Sequence, residues 1–190
     1  MYYRMTLTDK VRVPPNRLGE PLHAVVLSLL EEQLEGSIDK DIGIFIAVTK
    51  VMETGEGELI PGDGAVYYDV TFEALVLRLA LQEVIEGEVV ETTTFGAFVS
   101  LGPIDAMLHM SQISDEYINY DEKNGRLICQ ESKRFIEVGD PVRVRVVTLS
   151  LSEREPRESK IGLTMRQAGL GTQRWLTEEY EKEKKEHGGP

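Results

Sequence analysis

Apolar and polar residues alternate almost strictly over residues 3–13, with Tyr3, Met5, Leu7, Val11 and Val13 on one side and Arg4, Thr6, Thr8, Lys10 and Arg12 on the other. A period of two predicts a half-buried strand, which Pro14-Pro15 ends. From Leu22 the period becomes helical: Leu22, Val25, Val26, Leu29, Leu30 and Leu34 form one stripe, Pro21 suits the first turn and Gly36 the stop. Residues 42–52 are rich in β-branched side chains and predict a strand buried over much of its length. A turn-rich stretch, Thr54 to Gly64, follows. Alternation then resumes, placing Val66, Tyr68, Val70, Phe72, Ala74 and Val76 opposite Tyr67, Asp69, Thr71 and Glu73. This strand is too long for a compact sheet of ordinary size and is expected to bend or to run between two subdomains.

Near residue 82 the texture changes to short strands separated by Gly-containing turns, at 84–92, 95–101, 105–109, 142–149 and 160–165. Five such strands suggest a small closed barrel. Between the third and fourth lie a polar insertion, residues 114–125, and an extra hairpin arm around Leu127 to Phe135. Residues 175–186 read as a charged helix with little apolar face, its far end expected to fray. The fold class is therefore α+β and mainly β. An antiparallel sheet with one packed helix (residues 1–81) precedes a five-stranded barrel with insertions and a C-terminal helix (residues 82–190).

Alternation also assigns directions inside the barrel. Ala97, Val99 and Leu101 share the inward face, which puts Phe98 and Ser100 outside; Leu108 points in, and Met107 and His109 point out. Phe98, with Phe95 beside it at the turn Phe95-Gly96, makes a platform on which an unpaired base can stack. On the strand 142–149, Val142, Val144 and Val146 go inward while Arg143 and Arg145 project outward, able to meet phosphates. A second reading stands beside this one: the insertion or the C-terminal helix covers the two aromatics, and the arginines neutralise acidic neighbours.

Composition narrows the chemistry. The 190 residues have room for one ordinary domain or two small ones, and 41% hydrophobic with 28% charged is the balance of a folded soluble protein. No stretch approaches the ~18 consecutive apolar residues of a membrane span, and the start lacks the order of a signal peptide. A cytoplasmic location without membrane association is expected. Cys129 is the only cysteine, and His23, His109 and His187 are far apart, so neither a disulfide nor a metal centre is expected. The glycines of 55–64 lack the Lys-Ser/Thr of a phosphate loop and the spacing of a dinucleotide fold. Pro61, Gly62, Asp63 and Gly64 read instead as a tight loop at a strand end, shaped equally well for a docking tip. No nucleophile elbow, zinc-protease helix or catalytic carboxylate cluster stands out, so neither an independent active site nor a cofactor is expected.

The segment 82–167 resembles the ribosomal S1-type RNA-binding domain, an oligonucleotide-binding barrel. It has the opening Gly87, the core Phe95-Gly-Ala-Phe-Val99, the strand end Asp105-Ala-Met-Leu-His-Met-Ser111, then Val138-Gly-Asp-Pro-Val142 and Lys160-Ile-Gly-Leu-Thr-Met-Arg166. The resemblance implies an RNA face carried by Phe95, Phe98, His109 and Lys160. Two departures bear on sequence preference and affinity: Ser150 is followed by an insertion, 151–159, where an acidic turn is usual, and Ala106 replaces a common glycine.

With the first 80 residues included, the whole chain is similar to the large stalk subunits of archaeal RNA polymerase, the family designated E′. That resemblance implies a non-catalytic subunit whose ribonucleoprotein-like N-terminal domain docks on the polymerase core through its tip loop. It also implies pairing with the small stalk subunit, designated F, support of promoter opening with an initiation factor, and contact with the emerging single-stranded transcript. Two other classes share such a barrel: caps of RNA-degrading complexes and translation factors. The former commonly add a Gly-x-x-Gly clamp, and no two glycines here lie three apart.

The net charge of −12 first argues against nucleic acid. The charge is unevenly spread, however, because residues 126–174 hold 10 Lys and Arg against 6 Asp and Glu. That basic block includes the last two barrel strands. Modest, salt-sensitive RNA binding is the expectation, suited to guiding a transcript.

Overall fold

The computed structural model describes residues 1–154 and 159–187. The described residues divide into two compact units, one of residues 1–78 with 152–154, the other of residues 79–151 with 159–187.

The first unit is built from β1 (Tyr2–Val13), α1 (Leu22–Leu34), β2 (Ile38–Asp39), β3 (Gly43–Leu59) and β4 (Val66–Leu77), in a sheet ordered β1-β4-β3-β2. The stripe read from the sequence is the face that α1 buries: Val25, Val26 and Leu30 pack with Val11, Val13, Phe45, Val48, Val51, Val70, Phe72, Ala74 and Val76. The helix ends where Glu35 turns extended and Gly36 takes a positive φ of 78°, a conformation that glycine adopts without steric cost. Pro21 stands one position before the helix, at its N-cap.

β4 stays within this unit. It pairs with β1 without interruption from Tyr2↔Leu77 to Val13↔Val66, and with β3 from Ile44↔Leu77 to Leu59↔Val66. Both partners match its length, so nothing forces the strand out of the sheet. The sixteen residues of β3 from 44 to 59 oppose only twelve of β4, and the four extra residues are taken up at bulges after Phe45, Val48, Val51 and Thr54. Each bulge adds one residue and resets the alternation, so Phe45, Val48 and Val51 reach the core at a spacing of three. After the buried start at Gly43–Phe45, the strand is thus buried at every third position, Val48 and Val51, rather than continuously. β3 also continues to Leu59, correcting the turn-rich reading of residues 54–64. Gly55 and Gly57 lie inside the strand, and a Cβ on Gly57 would stand 2.7 Å from Val66 Cγ1 and 3.0 Å from the Tyr68 ring. Those glycines serve close cross-strand approach, and the reversal uses only residues 60–65.

On the edge of β3 away from β4, β2 pairs only as far as Ile44. Beyond it, α1 and the residue that follows supply side chains to the open backbone: Glu35 Oε1 accepts from the Val48 N–H at 3.1 Å, and His23 Nε2 lies 3.3 Å from the Val51 carbonyl oxygen.

The second unit contains β5 (Val84–Thr93), β6 (Gly96–Ser100), β7 (Asp105–His109), β8 (Ile118–Asp121), β9 (Arg126–Cys129), β10 (Phe135–Glu137), β11 (Pro141–Ser150), β12 (Lys160–Thr164), β13 (Gly171–Thr172) and α2 (Gln173–His187). β5, β6 and β7 form a meander, β12 runs parallel to β7, β11 pairs with β12, and β11 returns to β5, which closes a five-stranded barrel. Its interior is filled by Val89, Ala97, Val99, Leu108, Val144, Val146, Ile161 and Leu163. The polar insertion is not merely a loop: β8 within it pairs with β9, and with β10 these make a separate three-stranded sheet.

α2 begins at a cap that the sequence pattern left unseen. The Thr172 hydroxyl accepts from the Trp175 N–H at 3.3 Å, Trp175 is buried, and the Arg134 guanidinium lies 5.5 Å from its ring centre. Arg174 stacks on Phe135 at 4.3 Å and donates to Asp140 at 2.5 Å, tying the helix to β10 and the turn after it. No helix among the described residues is long and apolar enough to cross a membrane.

Candidate nucleic-acid interface

The barrel presents one outward face on which the aromatic positions and a cation meet. Gly96 opens β6 so closely against β7 that a Cβ there would stand 2.3 Å from the Leu108 carbonyl oxygen. That approach leaves Phe95 at the turn, 48% exposed, and sets Phe98 on the outer face, half-buried. Their ring centres are 6.3 Å apart with planes at 90°, an edge-to-face arrangement that holds both rings without covering either. Neither the insertion nor α2 buries Phe95, so the covered reading of that aromatic fails. Phe98 pairs across the strands with Met107 on one side and Glu91 on the other.

His109 is exposed at the end of β7, directly opposite Gly96. Its Nδ1 accepts from the Ser111 N–H at 3.2 Å and lies 2.8 Å from the Ser111 hydroxyl. An accepting Nδ1 places the ring proton on Nε2, free to donate outward. The turn beneath it is pinned from β12: Met165 N–H donates to the Gln112 carbonyl at 2.8 Å, and Arg166 pairs with Asp115.

Beside Phe98 opens a cavity of about 400 Å³ lined by Phe98, Asp105, Met107, Thr148, Lys160 and Gly162, with Ser159 and Ile161. Gly162 is among its lining residues, and a Cβ there would approach Thr148 Cβ to 3.1 Å. Thr148 reaches this face because β11 shifts register between Val146 and Thr148. Sequence reasoning singled out Lys160 here and passed over Asp105 and Thr148. Asp105 shared the outward alternation of Met107 and His109; the bulge that delivers Thr148 left no mark in the pattern.

The two arginines lie elsewhere. Alternation places them correctly, since Val142, Val144 and Val146 are buried on the opposite face. Arg143, however, donates to Glu86 on β5 at 2.9 Å and lines a separate groove against α2. Arg145 is half-buried, its Nε enclosed and without a hydrogen-bond partner among the described residues. For Arg143, neutralising an acidic neighbour describes the contact that is made.

The loop 61–64 caps the β3–β4 hairpin of the first unit. Asp63 accepts from Arg12 Nε and Nη2 at 2.8 and 2.7 Å, from the Tyr67 hydroxyl at 2.7 Å and from the Ala65 N–H at 3.2 Å. A carboxylate so held positions the loop and has little left for a partner. What the tip offers outward is apolar: Leu59 is 73% exposed and Ile60 46%, two residues that the sequence reading placed in the turn-rich stretch but not in the docking tip Pro61 to Gly64.

The Arg12 guanidinium, and after it the Tyr67 hydroxyl, hold the Asp63 carboxyl well below the usual carboxylate range. A folded-state value below the unfolded one contributes stability that is complete above ~3.9 and is lost as pH falls through the folded value. NMR shifts of the Gly62 and Gly64 amides should therefore stay flat through the ordinary carboxylate range, where a free aspartate would titrate, and move only well below pH ~4. In Asp63→Asn they should start displaced and stay flat over that range. Shifts that move alike in both proteins would remove Asp63 as the cause.

Comparison with known proteins bears on both units. Residues 8–64 match the family described as the SHS2 domain found in the N terminus of Rpb7p/Rpc25p/MJ0397, and residues 78–160 match the S1 RNA binding domain. DNA-directed RNA polymerase subunit Rpo7 of Saccharolobus shibatae is 40% identical over 178 residues, which is 94% of this chain and 98% of that one. Subunit Rpo7 of Sulfolobus acidocaldarius is 38% identical over 175 residues, 92% of this chain and 94% of its own. DNA-directed RNA polymerase III subunit RPC8 of Saccharomyces cerevisiae is 26% identical over 168 residues, 85% of this chain and 79% of its own. With identity of that order carried across both units, the chain belongs to the Rpo7 family of archaeal DNA-directed RNA polymerase subunits.

Proposed function

We propose that the chain is the large stalk subunit of a cytoplasmic archaeal RNA polymerase and that its barrel guides the emerging single-stranded transcript. In this reading it pairs with F, the small stalk subunit. Its hairpin tip at residues 61–64, with Leu59 and Ile60 beside it, docks on the polymerase core, and the stalk supports promoter opening together with an initiation factor. Nucleotidyl transfer belongs to the assembled enzyme, and the chain contributes no active site of its own.

The observation that carries the RNA reading is the outward-facing pair Phe95 and Phe98, next to a cavity entered by Lys160 and flanked by His109. Stacked bases supply ~1 to 3 kcal/mol each, and a lone lysine with one histidine adds few phosphate contacts. Binding on this face is accordingly weak and salt-sensitive. Arg143 and Arg145 act as secondary contacts, reached only if RNA continues along β11.

Phe98→Ala should weaken binding of a short single-stranded RNA about tenfold, read by fluorescence anisotropy at low salt. Incorporation of the variant into polymerase lacking its stalk should be unchanged. Unaltered RNA affinity would make the aromatics packing residues, and failure of the wild-type chain to join stalkless polymerase would overturn the stalk assignment itself.

A further inference from the structure

The cavity beside Phe98 has two charges at its mouth, and the strand register explains why. β7 and β12 run parallel, with Met107 opposite Gly162. Two residues earlier on each strand stand Asp105 and Lys160, both exposed and both lining the cavity. Period two keeps each on the same outward face as the Met107–Gly162 pair. Neither side-chain charge has an ion pair or hydrogen bond to another described residue. The anion is therefore presented to whatever enters the cavity, as the cation is.

Resting on the reading of this face as an RNA surface, we infer that the pocket selects guanine among the four RNA bases and that Asp105 is the selecting residue. A carboxylate only accepts hydrogen bonds. A base stacked on Phe98 and Met107 presents its Watson–Crick edge at the rim. Guanine offers two adjacent donors there, N1–H and the N2 amino group, which match the two oxygens of one carboxylate. Cytosine and adenine each offer one amino group beside a ring-nitrogen lone pair that repels the second oxygen. Uracil offers one N3–H between two carbonyls.

Lys160 takes the phosphate on the other side of the opening. For any base but guanine, Asp105 stands near the phosphodiester with its acceptors unmatched and only repels. A negative charge that by itself weakens an RNA face thus supplies its discrimination, through a donor pair gained with one base and repulsion retained with the others. A cavity of about 400 Å³ admits one nucleotide unit, so selection applies to a single position of the strand.

The test uses the full-length chain and three labelled heptamers: all-uridine, uridine with a central guanosine, and uridine with a central inosine, which lacks the N2 amino group. Anisotropy at low salt should rank guanosine about five- to tenfold tighter than all-uridine RNA, with inosine between. In Asp105→Asn the guanosine preference should fall below about twofold, while all-uridine binding is retained or strengthened as the repelling charge disappears. Equal affinity of the wild-type chain for the three RNAs, or a preference that survives Asp105→Asn, would overturn the inference. If binding is sensitive to Phe98→Ala yet indifferent to base, only the guanine assignment falls. If none of the heptamers binds, the RNA reading falls and takes this inference with it.

Discussion

Alanine in place of Gly96 should lower the thermal transition of the second unit by about 10 °C or more, corresponding to a loss of ~3 kcal/mol or more. The added Cβ would meet the Leu108 carbonyl oxygen at 2.3 Å and the His109 Cα at 2.9 Å. Both are backbone atoms, so no rotamer change relieves the contact; β6 and β7 must separate. Because they are adjacent staves of a closed barrel, separation breaks closure as well as one strand pair. Trp175 is the only tryptophan and lies in this unit, so its fluorescence reports the transition without interference from the first unit. A variant melting within about 3 °C of the wild type would show that the strands can part locally at little cost. The same substitution should disturb the platform, since Phe95 and His109 both hang on this crossing.

Truncation of Trp175 is the other large effect expected. Removing a buried aromatic costs ~3 to 5 kcal/mol, and here that burial fastens the first turn of α2. Thr172 caps the helix, and the approach of Gly171, whose Cβ would stand 3.2 Å from the indole, shows how tightly the ring is enclosed. Trp175→Ala should collapse hydrogen-exchange protection along α2 while leaving the strands β5 to β7 protected. Trp175→Phe should retain most of it. Protection of α2 that survives the alanine would shift the anchoring to Arg134 and Arg174, which bridge to Glu179 and Asp140.

How far the sequence announced this molecule depended on whether each segment kept one period. β1 and β4 alternate cleanly and pair residue for residue, so most of their buried faces were legible, although Tyr3, on the apolar side of β1, is 46% exposed. The inward Val142, Val144 and Val146 were legible for the same reason, since the bulge in β11 falls after them. β3 was not: four single-residue insertions convert its period from two to three, a pattern that reads neither as a strand nor as a helix. Of the site, Phe95, Phe98, His109 and Lys160 could be picked out because large aromatics on a solvent face and the S1-type motif are local signals. The partnership of Asp105 with Lys160 was hidden, as it depends on a parallel register between strands separated by more than fifty positions in the chain. Glu86 beside Arg143 was hidden likewise, because alternation gives a side chain's direction but not its neighbour.

The irregularity of β3 also bears on how copies of this chain avoid one another in a crowded cell. A long edge strand with regularly spaced donors and acceptors is a template for sheet-to-sheet polymerisation. β3 offers no such template past Ile44: its bulges break the even repeat that a second strand would need, and Glu35 already holds the Val48 N–H, while His23 sits on the Val51 carbonyl. On its β3 side the long hairpin that extends Leu59 and Ile60 outward is therefore a poor template for amyloid-like self-pairing.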